Sequence, residues 1–480
     1  MRSRISKNLS AILGDRGGEN RLFAKGLLAE AHPTVRVRPE KPAPPPGFTG
    51  HDYATMLLHV AAEVEHALLV QYLFAAYSLG GPQVPEEHRK AVQDWQTVIL
   101  GIAKEEMAHF VTVQNVLRLI GAPLNLERED FPWDIEFAPF KFTLDKLTRE
   151  SLARYVYVEA PKPERWPSDA EPFREEITRL ATAGDGQVNQ VGDLYRAMIA
   201  VLGDPDLVPE SAFQSATMPY QASWDEWGRG YRDGARGATD PKSKTPDLII
   251  AKAYSRASAV AALQAVAEQG EAADVDAATA EQSHFRRFFE IFKAFPDEES
   301  GWSPVRGLAT NPSTVDNLPD TGYIADETTR DWGHLLNLRY RMLLTCLAHS
   351  FRLSGADTAN PAAEARGFIL HSTFGEMYNL RVISNLLVGK PLGAGSDARA
   401  GPPFELPYSL ELPPREPDVW QLHIGLVDAS LALVRRLEKS ADPGERAYLE
   451  TLRAMDERKR ETFSEILGKG GRRTRLGGWA

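Results

Sequence analysis

A carboxylate is out of place on the apolar face of a helix, and three stretches of this sequence put one there. From about Asp52 to Leu79, the residues Leu58, Ala61, Ala62, Leu68, Leu69, Tyr72 and Ala76 recur at three- and four-residue spacing. That is the pattern of a helix with one buried stripe, and Glu65 falls inside it. From about Glu86 to Ile120 the stripe reads Trp95, Ile99, Ile102, Val113, Val116 and Ile120, with Glu106 and His109 among them. From about 272 to 295 it reads Ala277, Ala278, Phe288, Ile291 and Phe295, with Glu281 and His284 among them. A carboxylate taken out of water without a partner is costly, so such groups are normally paired or bind a metal.

Glu106-Met-Ala-His109 and Glu281-Gln-Ser-His284 repeat one spacing, which projects both heads from one helix face about a turn apart. One Glu-x-x-His is common by chance on surface helices. Two on otherwise apolar faces, with Glu65 upstream, supply three of the four contributions to a two-metal site inside a four-helix bundle. Such a site takes a carboxylate from each of two helices and Glu-x-x-His from each of two others. Carboxylate oxygen with imidazole nitrogen suits iron or manganese. The best candidate for the fourth contribution is Asp193. On an ideal helix it lies almost opposite the stripe Val191, Leu194, Tyr195, Met198 and Leu202, which leaves it between a solvated face and a ligand. Tyr72 lies seven residues after Glu65 on the same face, as a core residue or as a hydrogen-bond partner to a ligand carboxylate. His59 and His66 do not share that face and read as surface residues or outer partners. His334, His349 and His371 read as ordinary, partly buried histidines.

The rest of the sequence organises around these helices. Residues 1–47 end in Val35-Arg-Val-Arg-Pro-Glu-Lys-Pro-Ala-Pro-Pro-Pro46, whose prolines cannot continue a helix, so an extended arm is expected. Gly80-Gly81-Pro82 and Gly121-Ala-Pro123 stop the first two helices. The stretch 125–163 reads as a long structured excursion with short strand at Arg154-Tyr-Val-Tyr-Val158, and 203–247 as a second long loop. Further helices are expected at 171–183, 186–202, 248–268, 328–353, 362–388, 417–438 and 443–467. The expected organisation is therefore an N-terminal arm (1–47), a metal-binding bundle (48–300) and a C-terminal helical region (301–480) packed on it.

Composition narrows the partners. The net charge of −11, from 55 basic and 66 acidic residues, argues against nucleic acid or an anionic membrane surface. The single cysteine, Cys346, excludes a multi-thiolate site, and its apolar helical neighbours make it a buried structural thiol. No segment carries the 18 to 20 or so uninterrupted apolar residues of a membrane span, and the N-terminus lacks the apolar stretch of a signal peptide. The cytoplasm is the expected compartment.

The stretches Leu57–Ser78, Ile102–Gly121, Val191–Ile199, Glu281–Ile291 and Ala400–Leu406 resemble the ferritin-like family named for iminophenyl-pyruvate dimer synthases, the violacein and rebeccamycin pathway group. The resemblance implies an all-α fold, a ferritin-like four-helix bundle with long loop excursions and an additional C-terminal helical region. It also implies that Glu65, Glu106, His109, a carboxylate at position 193, Glu281 and His284 line that bundle. The family pattern has glutamate where this chain has Asp193, one methylene shorter. The violacein enzyme is much longer than this chain, so the resemblance carries the fold and the metal further than the named coupling reaction.

The expected function is a non-haem oxidoreductase of specialised metabolism with two metal ions, iron or manganese. It would use dioxygen or peroxide on a small, amino-acid-derived substrate. Oxidative coupling of aryl- or indole-pyruvate imines is the enzyme alternative. Iron storage or a non-catalytic binding role is the other, although a storage bundle needs little beyond four helices and this chain has much more.

Overall fold

In a computed structural model of the protein the described residues are 43–133, 141–162, 165–182, 190–227, 248–271, 282–355 and 365–468. Most of the proline-rich arm, and Glu281, lie outside them. The described residues form twelve α-helices and one two-stranded ladder, Pro312–Ser313 beside Gly322–Tyr323.

The first two helices form a long hairpin. α1 (Gly50–Ser78) starts at a reciprocal capping pair, Thr49 with Asp52, and stops where Leu79 turns extended before Gly80. It is long and apolar enough to cross a membrane by length and composition, yet most of it is buried inside the fold. Glu63, Glu65, His66 and Gln71 are buried along it, which suits a core helix with polar work to do. α2 (Glu86–Leu119) begins after Pro85 with Glu86 and Glu87 in its first turn, where acidic side chains meet the positive helix end. Gly121, with φ of 71°, takes the left-handed position that closes it.

α3 (Arg149–Val158) occupies the place where strand was expected. Thr148 and Ser151 cap each other's backbone, and Leu152, Ala153, Tyr155 and Val156 form a buried helical stripe. The Tyr-Val alternation of 154–158 favours strand locally, but the cap and the burial against neighbouring helices outweigh that weak preference. α4 (Arg174–Thr182), α5 (Val191–Gly203), a short α6 (Trp224–Trp227) and α7 (Arg256–Glu271) follow. α8 (His284–Ala294) is shorter than the expected helix: Ser283 is extended, with ψ of 165°, and its hydroxyl accepts from the Arg286 N–H. His284 is therefore the first residue of its helix, and the helix-face argument that joined it to Glu281 does not apply at that turn.

α1 packs on α2 and α5, α5 on α7, α3 on α8, and both α7 and α8 reach α2. These elements enclose the site. Beyond them α9 (Glu327–Ser350) pairs with α10 (Ala365–Leu387), and α11 (Glu416–Leu437) with α12 (Pro443–Gly468). One apolar core runs from α1 and α2 through Leu335, Leu336, Leu343, Leu344 and Leu347 of α9. A second cluster lies between α9, α10, α11 and α12 around Cys346, Phe368, Trp420 and Phe463. Cys346 is buried there as a free thiol, and burial pushes its pKa up to about 12. His66 is fully buried and hydrogen-bonded to Tyr340 of α9, so it joins the first helix to the C-terminal ones and faces no solvent.

Two buried polar networks organise the C-terminal helices. Arg339 of α9 reaches Glu376 of α10, Ser430 of α11 and Asp456 of α12, and Lys459 also bonds Glu376. His349 of α9 is fully buried and sits between His423, at 3.0 Å, and Glu416, at 2.7 Å.

Candidate metal centre

Four buried carboxylates and two buried imidazoles converge between α1, α2, the end of α3 and the start of α8. Glu65 comes from α1, Glu105, Glu106 and His109 from α2, Glu159 from the residue just after α3, and His284 from the first position of α8. Each is at most 4% exposed. Glu106 lies at the centre. Its Oε1 is 2.7 Å from His284 Nδ1 and its Oε2 is 3.0 Å from His109 Nδ1. His109 Nδ1 is also 3.5 Å from Glu65 Oε2, and His284 Nδ1 is 3.7 Å from Glu159 Oε2. Glu106, His109 and His284 each offer a ligand atom within 4.8 Å of the others.

Each outer carboxylate is held by a phenol. Tyr195 of α5 donates to Glu65 Oε1 at 2.5 Å, and Tyr72 of α1 donates to Glu159 Oε1 at 2.5 Å. Gly270 of α7 faces Glu159, where a Cβ would come within 3.1 Å of Oε2. A small cavity beside the cluster is walled by Leu68, Val158, Val191, Gly192, Val266 and Ala267, a mostly apolar lining with Glu65, Glu106, His109, Glu159 and Tyr195 at its floor.

The charges are mutually dependent. Burial, and then the Glu106 carboxylate, push Glu65 up to about 8. Burial and Glu106 also raise Glu159. Burial works against charge on Glu106 too, but His284 and His109 outweigh it and hold that carboxyl well below its usual range. The reverse holds for the imidazoles. Burial opposes their protonation, yet Glu106 with Glu65 lifts His109 to about 10, and Glu106 with Glu105 and Glu159 holds His284 well above its ordinary value. So much negative charge requires cations at this spot, and without a metal they are protons on the two rings.

The hydrogen bonding fits a metal better than protons. Among the described residues Glu65 Oε2, Glu106 Oε1 and His284 Nδ1 are buried and receive no well-directed hydrogen bond, although the last two lie only 2.7 Å apart. His284 already points Nε2 at Glu105, 3.0 Å away, and an ionised carboxylate can only accept, so Nε2 carries the proton. In the neutral ring, the form a metal would select, Nδ1 then offers a lone pair to the same space as Glu106 Oε1. Glu106, His109 and His284 each bring a ligand atom within 4.8 Å of the others, as the members of a ligand set do.

Of the residues singled out from the sequence, the fold brings Glu65, Glu106, His109 and His284 together and places Tyr72 behind them. It does not bring Asp193 there. Asp193 is in the first turn of α5, where Oδ2 accepts from the Gln190 N–H at 3.1 Å and Oδ1 pairs with Arg196 at 2.5 Å. Glu159, which the sequence did not single out, is the buried carboxylate beside His284. Sequence reasoning passed over it because 125–163 read as loop and strand, although Glu159 follows Leu152 by seven residues and continues the stripe of Leu152, Tyr155 and Val156. Glu105 was overlooked as the neighbour of Glu106, off the face of the motif.

Residues 58–293, which include all of the clustered side chains, match the ferritin-like family model, so this helical stretch is a ferritin-like domain. Over 75% of its length the chain is 26% identical to dichlorochromopyrrolate synthase of Lentzea aerocolonigenes, and over 81% it is 24% identical to 2-imino-3-(indol-3-yl)propanoate dimerase of Chromobacterium violaceum. These alignments cover 36% and 37% of the relatives, so the chain spans just over a third of their length. No solved structure gives a significant match.

Proposed function

We propose that this chain is a metal-dependent enzyme of specialised metabolism that holds two ions, iron or manganese, between Glu65, Glu106, His109, Glu159 and His284. Its substrate class is a small, aromatic, amino-acid-derived imine, and its oxidant dioxygen or peroxide. The observation that carries the reading is the convergence of ligand atoms of the buried Glu106, His109 and His284 within 4.8 Å of one another, with Glu65 Oε2 3.5 Å from His109 Nδ1.

The ions would supply the electron transfer and oxygen chemistry that no side chain here can perform. The residues do the rest. Glu106 presents one oxygen to each imidazole side, Glu65 and Glu159 close the two ends, and Tyr195 and Tyr72 fix the rotamers of those end carboxylates. Leu68, Val158, Val191 and Val266 keep bulk water from the cluster, which strengthens every charge interaction inside it.

One relative is named a 2-imino-3-(indol-3-yl)propanoate dimerase and the other a dichlorochromopyrrolate synthase, and the first name favours a second, narrower form of the reading: joining two imino acids through a new carbon–carbon bond. That step removes two protons and two electrons, which the oxidant takes up.

Metal analysis tests the proposal. The purified chain should carry two equivalents of iron or manganese, His109→Ala and His284→Ala should each lose metal while keeping their helix content, and the double variant should lose little more than either single one. Full metal content in either single variant would remove that histidine from the site.

A further inference from the structure

The centre is nearly symmetric, with one exception. On the His109 side stand one Glu106 oxygen and Glu65, the latter held by Tyr195. On the His284 side stand the other Glu106 oxygen and Glu159, held by Tyr72. Imidazole, shared carboxylate, end carboxylate and phenol are therefore matched. What stands behind the two rings is not. His109 Nε2 faces a neutral amide, the Gln269 carbonyl oxygen at 2.8 Å. His284 Nε2 faces a carboxylate, Glu105 Oε2 at 3.0 Å, which the Arg287 guanidinium also holds.

An imidazole that gives its outer N–H to a carboxylate gathers negative charge on the ring and becomes a stronger donor at its other nitrogen, and its orientation is fixed more firmly. Adjacent residues on a helix point about 100° apart, so Glu106 can face the centre while Glu105 passes behind the ring that α8 delivers. Arg287 follows His284 by three residues on α8 and grips the same carboxylate, with Nη2 on the Oε2 that the ring also meets and Nη1 on Oε1, so ring and guanidinium hold Glu105 together.

We infer that Glu105 is a positioning residue that makes the metal position beside His284 the tighter of the two, and that the position beside His109, backed only by Gln269, gives up its ion first. The inference rests on the two-metal reading above.

The test follows release of ferrous iron, loaded anaerobically, to a chromogenic chelator. The wild-type chain should release its iron in two phases. Glu105→Gln should speed the slow phase by about 10- to 100-fold, the usual effect of losing an outer carboxylate, and leave the fast phase in place. Glu105→Asp should recover part of the difference, which a general loosening of the helix would not. Gln269→Glu should slow the fast phase, and it decides the matter alone if Glu105→Gln does not fold. A single release phase in the wild type, or two phases that neither Glu105→Gln nor Gln269→Glu moves, would overturn the inference while leaving the metal reading intact. A wild-type chain that takes up no iron would overturn both.

Discussion

Replacing Glu159 by Gln removes a charge from one end of the cluster and keeps the shape, so metal content should fall while the fold persists. Asp193→Asn touches a capping contact and a half-exposed pair with Arg196, and should cost at most about 1 kcal/mol with metal content unchanged. Metal per chain in these two variants distinguishes the carboxylate the fold selects from the one the sequence offered. A different residue governs pH behaviour outside the centre. Burial pushes Glu63 up to about 8, against a partial offset from Asn125, whose amide donates to Glu63 at 3.2 Å. Its folded pKa lies above its unfolded value of 4.5, so its contribution is present below about 4.5 and lost as pH rises through 8. Glu63→Gln should remove up to about 1.4 kcal/mol of that decline for each pH unit in the window. Equal slopes of unfolding free energy against pH in the two proteins would show that Glu63 is not the source. Glu65, Glu106, His109 and His284 were legible in the sequence because each interrupts an apolar stripe. Glu105 carries no such mark, and only the ring brought up by α8 gives it a role.

At the scale of elements, α1 and α2 were readable because their stripes are long and their stops are glycine and proline. α3 was not. Its ten residues hold tyrosine and valine in strand-like alternation, and its stability as a helix comes from the Thr148–Ser151 cap and from packing on α8, which no local window contains. α8 began later than expected because Ser283 caps it, and the apolar period runs on regardless of where the backbone turns. The C-terminal helices are tied by charge as well as by apolar contact. Arg339 is fully buried between Glu376 and Asp456, and although burial works against charge on Glu376, Lys459 and Arg339 hold that carboxyl down to about 2. Arg339→Met would leave two carboxylates short of a cation and should destabilise the fold by about 3–5 kcal/mol. Chemical denaturation would show it, and a loss under 1 kcal/mol would mean that Lys459 alone satisfies the network.

For the whole molecule, the centre belongs to the fold's energetics as much as to its chemistry. A metal that binds only the folded chain stabilises it, and without one the inward carboxylates repel. Chelation should lower the melting temperature, and ferrous iron or manganese should restore it; a melting curve indifferent to both would count against a buried site. The apolar core that continues from α1 and α2 into α9 gives that coupling a route to the far helices. Cys346 can report on it. The chain's only thiol sits 3% exposed in the cluster of α9 to α12, well apart from the metal ligands along the chain, and the thiolate that reagents attack is suppressed by burial. A thiol reagent in solution therefore finds nothing to modify until those helices part, and its rate of reaction becomes a clock for their opening. The sequence carries its own unfolding probe, at one copy per chain and with no engineering. If stripping the metal quickens that clock, the two ends of the protein open together; if it does not, the C-terminal helices hold independently of what the centre contains.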